Sequence, residues 1–146
     1  MRTGREYREA LHDGRRVWVV GEGLIEDVTL HPATRAMVDE YAAWYDRHHE
    51  AAWRDVLLAP PDAGGARVPW AFALPRTPAD LRAMGRSYAA TIFSTAGNVT
   101  HTPGYGNLIA LGLHDVVRQR NVSPSLIASA AAYRDMIARA GRFLTF

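Results

Sequence analysis

The chain has 146 residues, of which 48% are hydrophobic and 22% charged, a balance typical of one soluble globular domain and unlike that of a disordered chain. It contains no cysteine, which excludes disulfides, thiolate metal ligands and cysteine nucleophiles among these residues. All 17 basic residues are arginines interleaved with 15 acidic ones, whereas nucleic-acid-binding proteins usually cluster their positive charge, so we expect no nucleic-acid partner. No apolar run approaches the roughly 20 residues of a membrane span. We therefore expect a cytoplasmic protein without a membrane partner.

The N-terminal segment predicts a short helix followed by a hairpin. Residues 3–6 have the spacing of a capping box, so a helix begins there and extends to Leu11, with Gly14 as its stop. Two β-favouring runs, 16–20 and 24–28, flank a glycine turn. This pattern predicts a β-hairpin over about residues 16–28.

The next predicted helix begins at His31-Pro32 and carries an aromatic-rich stripe at helical spacing. The stripe consists of Met37, Tyr41, Trp44, Tyr45 and His48. Residues 58–77 form a long connection, and we expect its aromatic residues Trp70 and Phe72 to pack back onto the body.

The remainder of the chain predicts further helices. Residues 77–80 begin one, with Leu81, Met84, Tyr88 and Ile92 on its apolar face. Two more run from about 107 to 117 and from Ser123-Pro124 to near Gly141. The fold class is therefore mainly α, a single helical domain over residues 1–146 with one short β-hairpin.

The six histidines do not have the spacing of a metal site. His48 and His49 are adjacent, so on a helix they point about 100° apart and cannot easily share one ion. We interpret them, with Asp46 and Glu50, as a solvated helix end, and we expect no metal.

The glycine-rich segment 97–107 is the strongest candidate for a functional loop. It places His101 and Tyr105 four residues apart, with Pro103 stiffening the backbone between them. A rigid loop that presents a phenol and an imidazole suits binding of a polar or phenolic small molecule. An ordinary helix–helix connection is the other interpretation, and the residues alone leave both open.

Several short segments occur in the order and spacing of one known family. They are residues 3–7 (TGREY), 11–15 (LHDGR), 27–33 (DVTLHPA), 45–46 (YD), 75–81 (PRTPADL) and 102–105 (TPGY). Over nearly the whole chain they resemble the N-terminal helical region of the oxygenase component of 4-hydroxyphenylacetate 3-monooxygenases. These enzymes are two-component, reduced-flavin-dependent aromatic hydroxylases.

The resemblance implies the N-terminal domain of an acyl-CoA dehydrogenase-like flavin monooxygenase. The flavin-binding β and C-terminal domains that follow it in the family are absent from these residues. The resemblance therefore implies that reduced FAD is held mainly by a partner chain and that this chain is not active alone. We expect a split subunit or fragment in a hetero-oligomer with a larger flavin-binding oxygenase chain, supplied by a separate flavin reductase.

The family's substrate pocket draws an arginine and a tyrosine from a G-R-[ST]-P-D-Y motif, and these groups hold the phenol oxygen. The tyrosine corresponds to Tyr105, the arginine position is His101 and the aspartate position is Gly104. A family histidine near the domain junction aligns with Phe146. The resemblance thus implies Tyr105 and His101 as catalytic, and Tyr105, His101, Gly104 and Phe146 as substrate-binding.

These substitutions bear on the function. A histidine is only partly protonated near pH 7, unlike an arginine, so we expect the substrate or the reaction to differ from simple phenol ortho-hydroxylation. The leading hypothesis is a subunit of a FADH2-dependent monooxygenase that shapes part of a pocket for a small aromatic substrate. The alternative is a non-catalytic binding or scaffolding module that kept the helical fold and lost the chemistry.

Overall fold

The computed structural model describes residues 1–61, 65–95, 97–98 and 101–144. The helices are α1 (Gly4–Glu9), α2 (Pro32–Arg47), α3 (Ala51–Leu57), α4 (Pro78–Ser94), α5 (Tyr105–Gln119) and α6 (Pro124–Arg139). The strands are β1 (Val17–Val19) and β2 (Gly23–Ile25), which pair antiparallel. The predicted class, mainly helical with one short hairpin, is confirmed. Across the described ranges, no helix combines the length and apolar character needed to cross a membrane.

The chain divides into two compact units, residues 1–53 and residues 54–146. The expectation of one domain over residues 1–146 stays a prediction.

In the first unit, α1 begins with the predicted capping box. The Glu6 amide donates to Thr3 Oγ1 at 3.2 Å, and the Thr3 amide donates to Glu6 Oε2 at 2.7 Å. The Gly4 amide donates to Asp46 Oδ1 at 2.7 Å, which ties α1 to the last turn of α2. The helix ends at Glu9 and not at Leu11, because the next amides form tighter turns to carbonyls three residues earlier.

The hairpin pairs Val17 with Ile25 and Trp18 with Leu24. The turn glycines adopt positive φ, +87° at Gly21 and +95° at Gly23. The second strand ends at Ile25, before the predicted residue 28, because the Thr29 and Leu30 amides turn back to Asp27. Ile25 is buried whereas its neighbour Leu24 is exposed, as the alternation of a strand requires.

The buried face of α2 contains Trp44 and Tyr45 as predicted. Met37, the first residue of the predicted stripe, is 46% exposed, whereas the adjacent Val38 is buried.

The end of α2 also differs from the prediction. His48 is only 4% exposed, so the interpretation of a solvated helix end is wrong for this residue. Its ring lies edge-on to Trp44 with centroids 4.9 Å apart, and its Nδ1 is 2.8 Å from the Trp44 carbonyl oxygen. Burial lowers the pKa of His48 to about 4. The short helix α3, which follows directly, was not predicted.

In the second unit, the long connection folds back on itself and carries Trp70 into the core, as predicted. The Ala59 amide donates to the Val68 carbonyl at 2.7 Å, and the Trp70 amide donates to the Leu57 carbonyl at 3.0 Å. Trp70 then packs with Ala59, Met84 and Leu111.

The helix α4 begins after the N-cap Thr77, and α6 begins with Pro124, both as predicted; at Thr77 the structure adds a capping box with Asp80. Leu81 is 58% exposed, so its assignment to the apolar face is wrong, whereas Met84 on the same helix is buried. The helix α5 begins at Tyr105, two residues earlier than predicted, and packs against α6.

Candidate functional site

A tight turn leads directly into α5 and makes Tyr105 its first residue. Gly104 is the N-cap, with φ +87° and ψ −2°, a left-handed conformation that glycine adopts without strain. The Tyr105 amide donates to the Thr102 carbonyl at 3.1 Å, and the Asn107 amide donates to the Gly104 carbonyl at 3.0 Å. The backbone on both sides of Tyr105 is therefore fixed by local hydrogen bonds.

Two buried residues, Thr102 and Pro103, fix the turn before α5. Thr102 is 0% exposed, and its hydroxyl donates to the Asn98 carbonyl at 2.9 Å and lies 3.1 Å from the Thr95 hydroxyl. Pro103 is also fully buried. His101, which directly precedes this anchor, is exposed.

Tyr88 on α4 stabilises this turn through a hydrogen bond. Its hydroxyl donates to the Gly104 carbonyl at 2.8 Å. Burial raises the pKa of Tyr88 well above its ordinary value, so the phenol keeps its proton and remains a donor. The Gly104 carbonyl thus accepts both from the Tyr88 hydroxyl and from the backbone amide of Asn107.

Gly104 is buried against apolar neighbours. A Cβ at this position would lie 3.1 Å from Ala71 Cβ and 3.2 Å from Phe143 Cδ1. The Phe143 ring in turn stacks on Phe72, with centroids 5.1 Å apart and an interplanar angle of 30°. Gly104 therefore contributes backbone, and the Phe72–Phe143 ring pair lies beside it.

Asn107 joins the first turn of α5 to the segment after α6. Its Nδ2 donates to the Arg142 carbonyl at 3.1 Å, and its Oδ1 accepts from the Leu144 amide at 2.8 Å. The Gly106 amide adds a bond to the Leu144 carbonyl at 2.9 Å. Asn107 is 0% exposed, so both side-chain hydrogen bonds are made away from water.

The predicted site residues fall on one segment of this unit. Gly104 and Tyr105 adjoin at the start of α5, Tyr105 is half-buried, and His101 lies at the exposed beginning of the same turn. Phe146 lies outside the described residues. The assignment of these residues to catalysis and substrate binding stays a prediction.

Three residues that hold this segment, Tyr88, Phe72 and Phe143, were not predicted as part of the site. Asn107 ends the predicted loop 97–107, but no role was predicted for its side chain. Tyr88 carried a usable signal, because a tyrosine on an apolar helix face needs a partner for its hydroxyl. Asn107 and Phe143 carried none, since their contacts join residues far apart in the chain.

Two histidines each pair with one acidic residue: His12 Nε2 lies 3.2 Å from Asp27 Oδ2, and His31 Nε2 lies 3.2 Å from Glu22 Oε2. Among the described residues, no group of three or more histidine, aspartate or glutamate side chains could hold a metal ion.

Comparison with known proteins identifies a family. The family model described as 4-hydroxyphenylacetate 3-hydroxylase N terminal matches residues 3–145. This match covers nearly the whole chain.

Two relatives illustrate the similarity. The FADH(2)-dependent monooxygenase TftD of Burkholderia cepacia is 40% identical over 109 residues, which cover 73% of this chain and 21% of the relative. The 4-hydroxyphenylacetate 3-monooxygenase oxygenase component of Thermus thermophilus is 35% identical over 111 residues, which cover 75% of this chain and 22% of the relative. The chain thus matches about a fifth of the length of these relatives.

A solved structure has the same fold. The oxygenase component HpaB of 4-hydroxyphenylacetate 3-monooxygenase, complexed with FAD, superimposes with a TM-score of 0.74 at 26% sequence identity. The superposition covers 97% of this chain and 29% of HpaB.

Proposed function

The chain belongs to the 4-hydroxyphenylacetate 3-hydroxylase family, in the N-terminal part of that family, and on this premise we propose that it forms one wall of an aromatic-substrate pocket. The oxygenase concerned uses reduced FAD and hydroxylates a phenol-type substrate. The observation that supports this role is the fixed backbone around Tyr105. Its neighbour Gly104 is held through the carbonyl by Tyr88, and its neighbour Gly106 is held through the amide by Leu144.

Tyr105 hydrogen-bonds the oxygen of the substrate in this proposal. A donor whose backbone is already fixed loses little further freedom when a ligand binds, which favours an oriented contact. His101 orients the substrate's phenol group or removes its proton, because an imidazole can accept a proton near neutral pH. Gly104 contacts the ligand with backbone atoms alone, and Phe146 completes the same set of substrate contacts.

The flavin is held mainly by a larger oxygenase chain. Reduced FAD supplies the electrons with which oxygen is activated, and a separate flavin reductase renews it. The pyrophosphate and ribityl groups of FAD need several hydrogen-bond donors. Among the described residues around Tyr105, the side chains of Tyr88, Thr102 and Asn107 already donate to backbone carbonyls. These residues therefore fit the wall of an aromatic pocket better than a dinucleotide site. The active unit is a cytoplasmic hetero-oligomer, and this chain alone shows no hydroxylation.

A second candidate is a non-catalytic binding or scaffolding module. The observation that favours it is His101, which stands where the family motif has an arginine and provides a weaker positive charge.

The test is Tyr105→Phe in the assembled oxygenase, supplied with reduced FAD, oxygen and 4-hydroxyphenylacetate. Loss of a hydrogen bond to a partly charged phenol oxygen is worth about 1.5–3 kcal/mol, so we expect hydroxylation to fall about ten-fold or more. The matched control is Tyr133→Phe on α6, where the side chain is 46% exposed.

Product is measured together with hydrogen peroxide, and assembly is measured by gel filtration. Unchanged hydroxylation in Tyr105→Phe would remove the role of the tyrosine. A wild-type complex that assembles with the larger chain and hydroxylates no phenol would favour the scaffolding module.

A further inference from the structure

We propose that Asn107 is a positioning residue of the substrate wall, because its side-chain amide fixes residues 142–144 against the turn that carries Tyr105. This inference rests on the proposed function for its catalytic consequence. We call the two side-chain hydrogen bonds of Asn107, to Arg142 and to Leu144, the brace. The brace is a property of the fold and can be tested without turnover.

The geometry of the amide uses both of its polar atoms. Nδ2 donates to the Arg142 carbonyl at 3.1 Å, while Oδ1 accepts from the Leu144 amide at 2.8 Å. One side chain therefore holds the two residues that flank Phe143. The backbone bond from the Gly106 amide to the Leu144 carbonyl, at 2.9 Å, sets the same segment in register with α5.

The segment held in this way contacts the turn before Tyr105. Phe143 Cδ1 lies 3.2 Å from the position that a Cβ of Gly104 would occupy, and the Phe143 ring stacks on Phe72. A displacement of residues 142–144 would therefore move an aromatic ring relative to the backbone that positions Tyr105. Since a shift of about 1 Å at a reacting group can change rates by two orders of magnitude, such a brace affects substrate fit.

The chemistry of an amide explains why asparagine occupies this place. It supplies a donor and an acceptor side by side without charge, whereas an ionised carboxylate supplies acceptors only. An aspartate at position 107 would keep the bond from the Leu144 amide, but its second oxygen would oppose the Arg142 carbonyl. When protonated, the same carboxyl could donate to that carbonyl and restore both bonds.

The experiment is Asn107→Asp in the assembled oxygenase, with binding of 4-hydroxyphenylacetate measured by equilibrium dialysis at about pH 8 and about pH 5.5. Burial favours the neutral carboxylic acid, so protonation and repair of the brace are expected on acidification. We expect a Kd about ten-fold above that of the wild type at the higher pH, and within about two-fold of it at the lower pH. The KM of hydroxylation is expected to follow the Kd.

The matched control is Asn121→Asp, which introduces the same charge at an exposed residue after α5. Hydrogen exchange of the Leu144 amide, compared with this control at the same pH, reports on the brace directly. Faster exchange at the higher pH together with the reversible change in Kd supports the proposal.

Other outcomes would contradict the proposal, and each points to a different part of it. Faster exchange with an unchanged Kd would overturn the positioning role, and unchanged exchange would overturn the brace. A Kd raised equally at both pH values would indicate a general loss of structure and would also overturn the proposal. Failure of the wild-type complex to hydroxylate would overturn the proposed function, while the exchange measurement would still decide the brace.

Discussion

At the residue scale, two glycines on either side of Tyr105 make contacts that a side chain would prevent. A Cβ on Gly106 would lie 2.7 Å from Leu144 Cβ, and a Cβ on Gly104 would lie 3.1 Å from Ala71 Cβ. The backbone of the turn can therefore approach both residues 71 and 144 only because these positions lack side chains. The location of Tyr105 depends on this close packing as well as on hydrogen bonds.

Replacing Gly104 with alanine tests this packing. Forcing an alanine into the left-handed region costs roughly 1–2 kcal/mol, and the contacts with Ala71 and Phe143 add to that loss of stability. The matched control is Gly97→Ala, where φ is +84° and a Cβ would have no neighbour within 4 Å. Urea unfolding should show a larger loss for Gly104→Ala than for Gly97→Ala. Equal losses would mean that backbone strain alone matters at the turn.

At the element scale, the sequence predicted features that depend on neighbouring residues. The capping box at Thr3 and the N-cap at Thr77 were predicted because donor and acceptor lie three residues apart. The motif also identified Tyr105 and its turn as the candidate site. The hydrogen bonds of Tyr88 and Asn107 were not predictable, because their partners lie 16 residues away for Tyr88 and 35 or 37 away for Asn107.

The cap of α4 provides a prediction at this scale. The Asp80 amide donates to Thr77 Oγ1 at 3.1 Å, and the Thr77 amide donates to Asp80 Oδ2 at 2.9 Å. Thr77→Ala removes the first bond and should cost about 1 kcal/mol in the free energy of unfolding. Ser123→Ala is the control, since Ser123 is the N-cap of α6 and makes no side-chain capping bond. A similar loss in both variants, measured by chemical denaturation, would contradict the assigned role of the cap.

At the scale of the whole molecule, the charge is divided unevenly between the two units. Residues 1–53 contain seven arginines and ten acidic residues, a net charge of −3, whereas residues 54–146 contain ten arginines and five aspartates, a net charge of +5. The unit with the candidate site therefore carries the positive excess. A positive field of this kind raises the encounter rate with anionic ligands at low salt.

The stability of the first unit should depend on pH through His48. Its pKa is lowered to about 4 in the folded state by burial, from an ordinary value near 6.5. Above pH ~6.5 the residue is neutral in both states and has no effect, whereas below it the unfolded state takes up a proton first. Stability is therefore lost as the pH falls from about 6.5 towards 4, at up to about 1.4 kcal/mol per pH unit.

This dependence can be measured by urea unfolding of the wild type, His48→Gln and His49→Gln between about pH 7 and 4. We expect His48→Gln to flatten the curve. His49 is exposed, so its replacement should change the slope less than the replacement of His48 does. An identical slope in His48→Gln and the wild type would show that other groups cause the acid sensitivity.

The bond between Asn107 and Leu144 also bears on the order of folding. It joins residues 37 positions apart, and the loop between them contains most of α5 and all of α6, which pack against each other. Closing that loop in a flexible chain carries a larger entropy cost than closing it after the two helices have formed and paired. We therefore expect the Asn107–Leu144 bond, and with it the packing of residues 142–144 beside Tyr105, to form late in folding, after α5 and α6 have formed and paired.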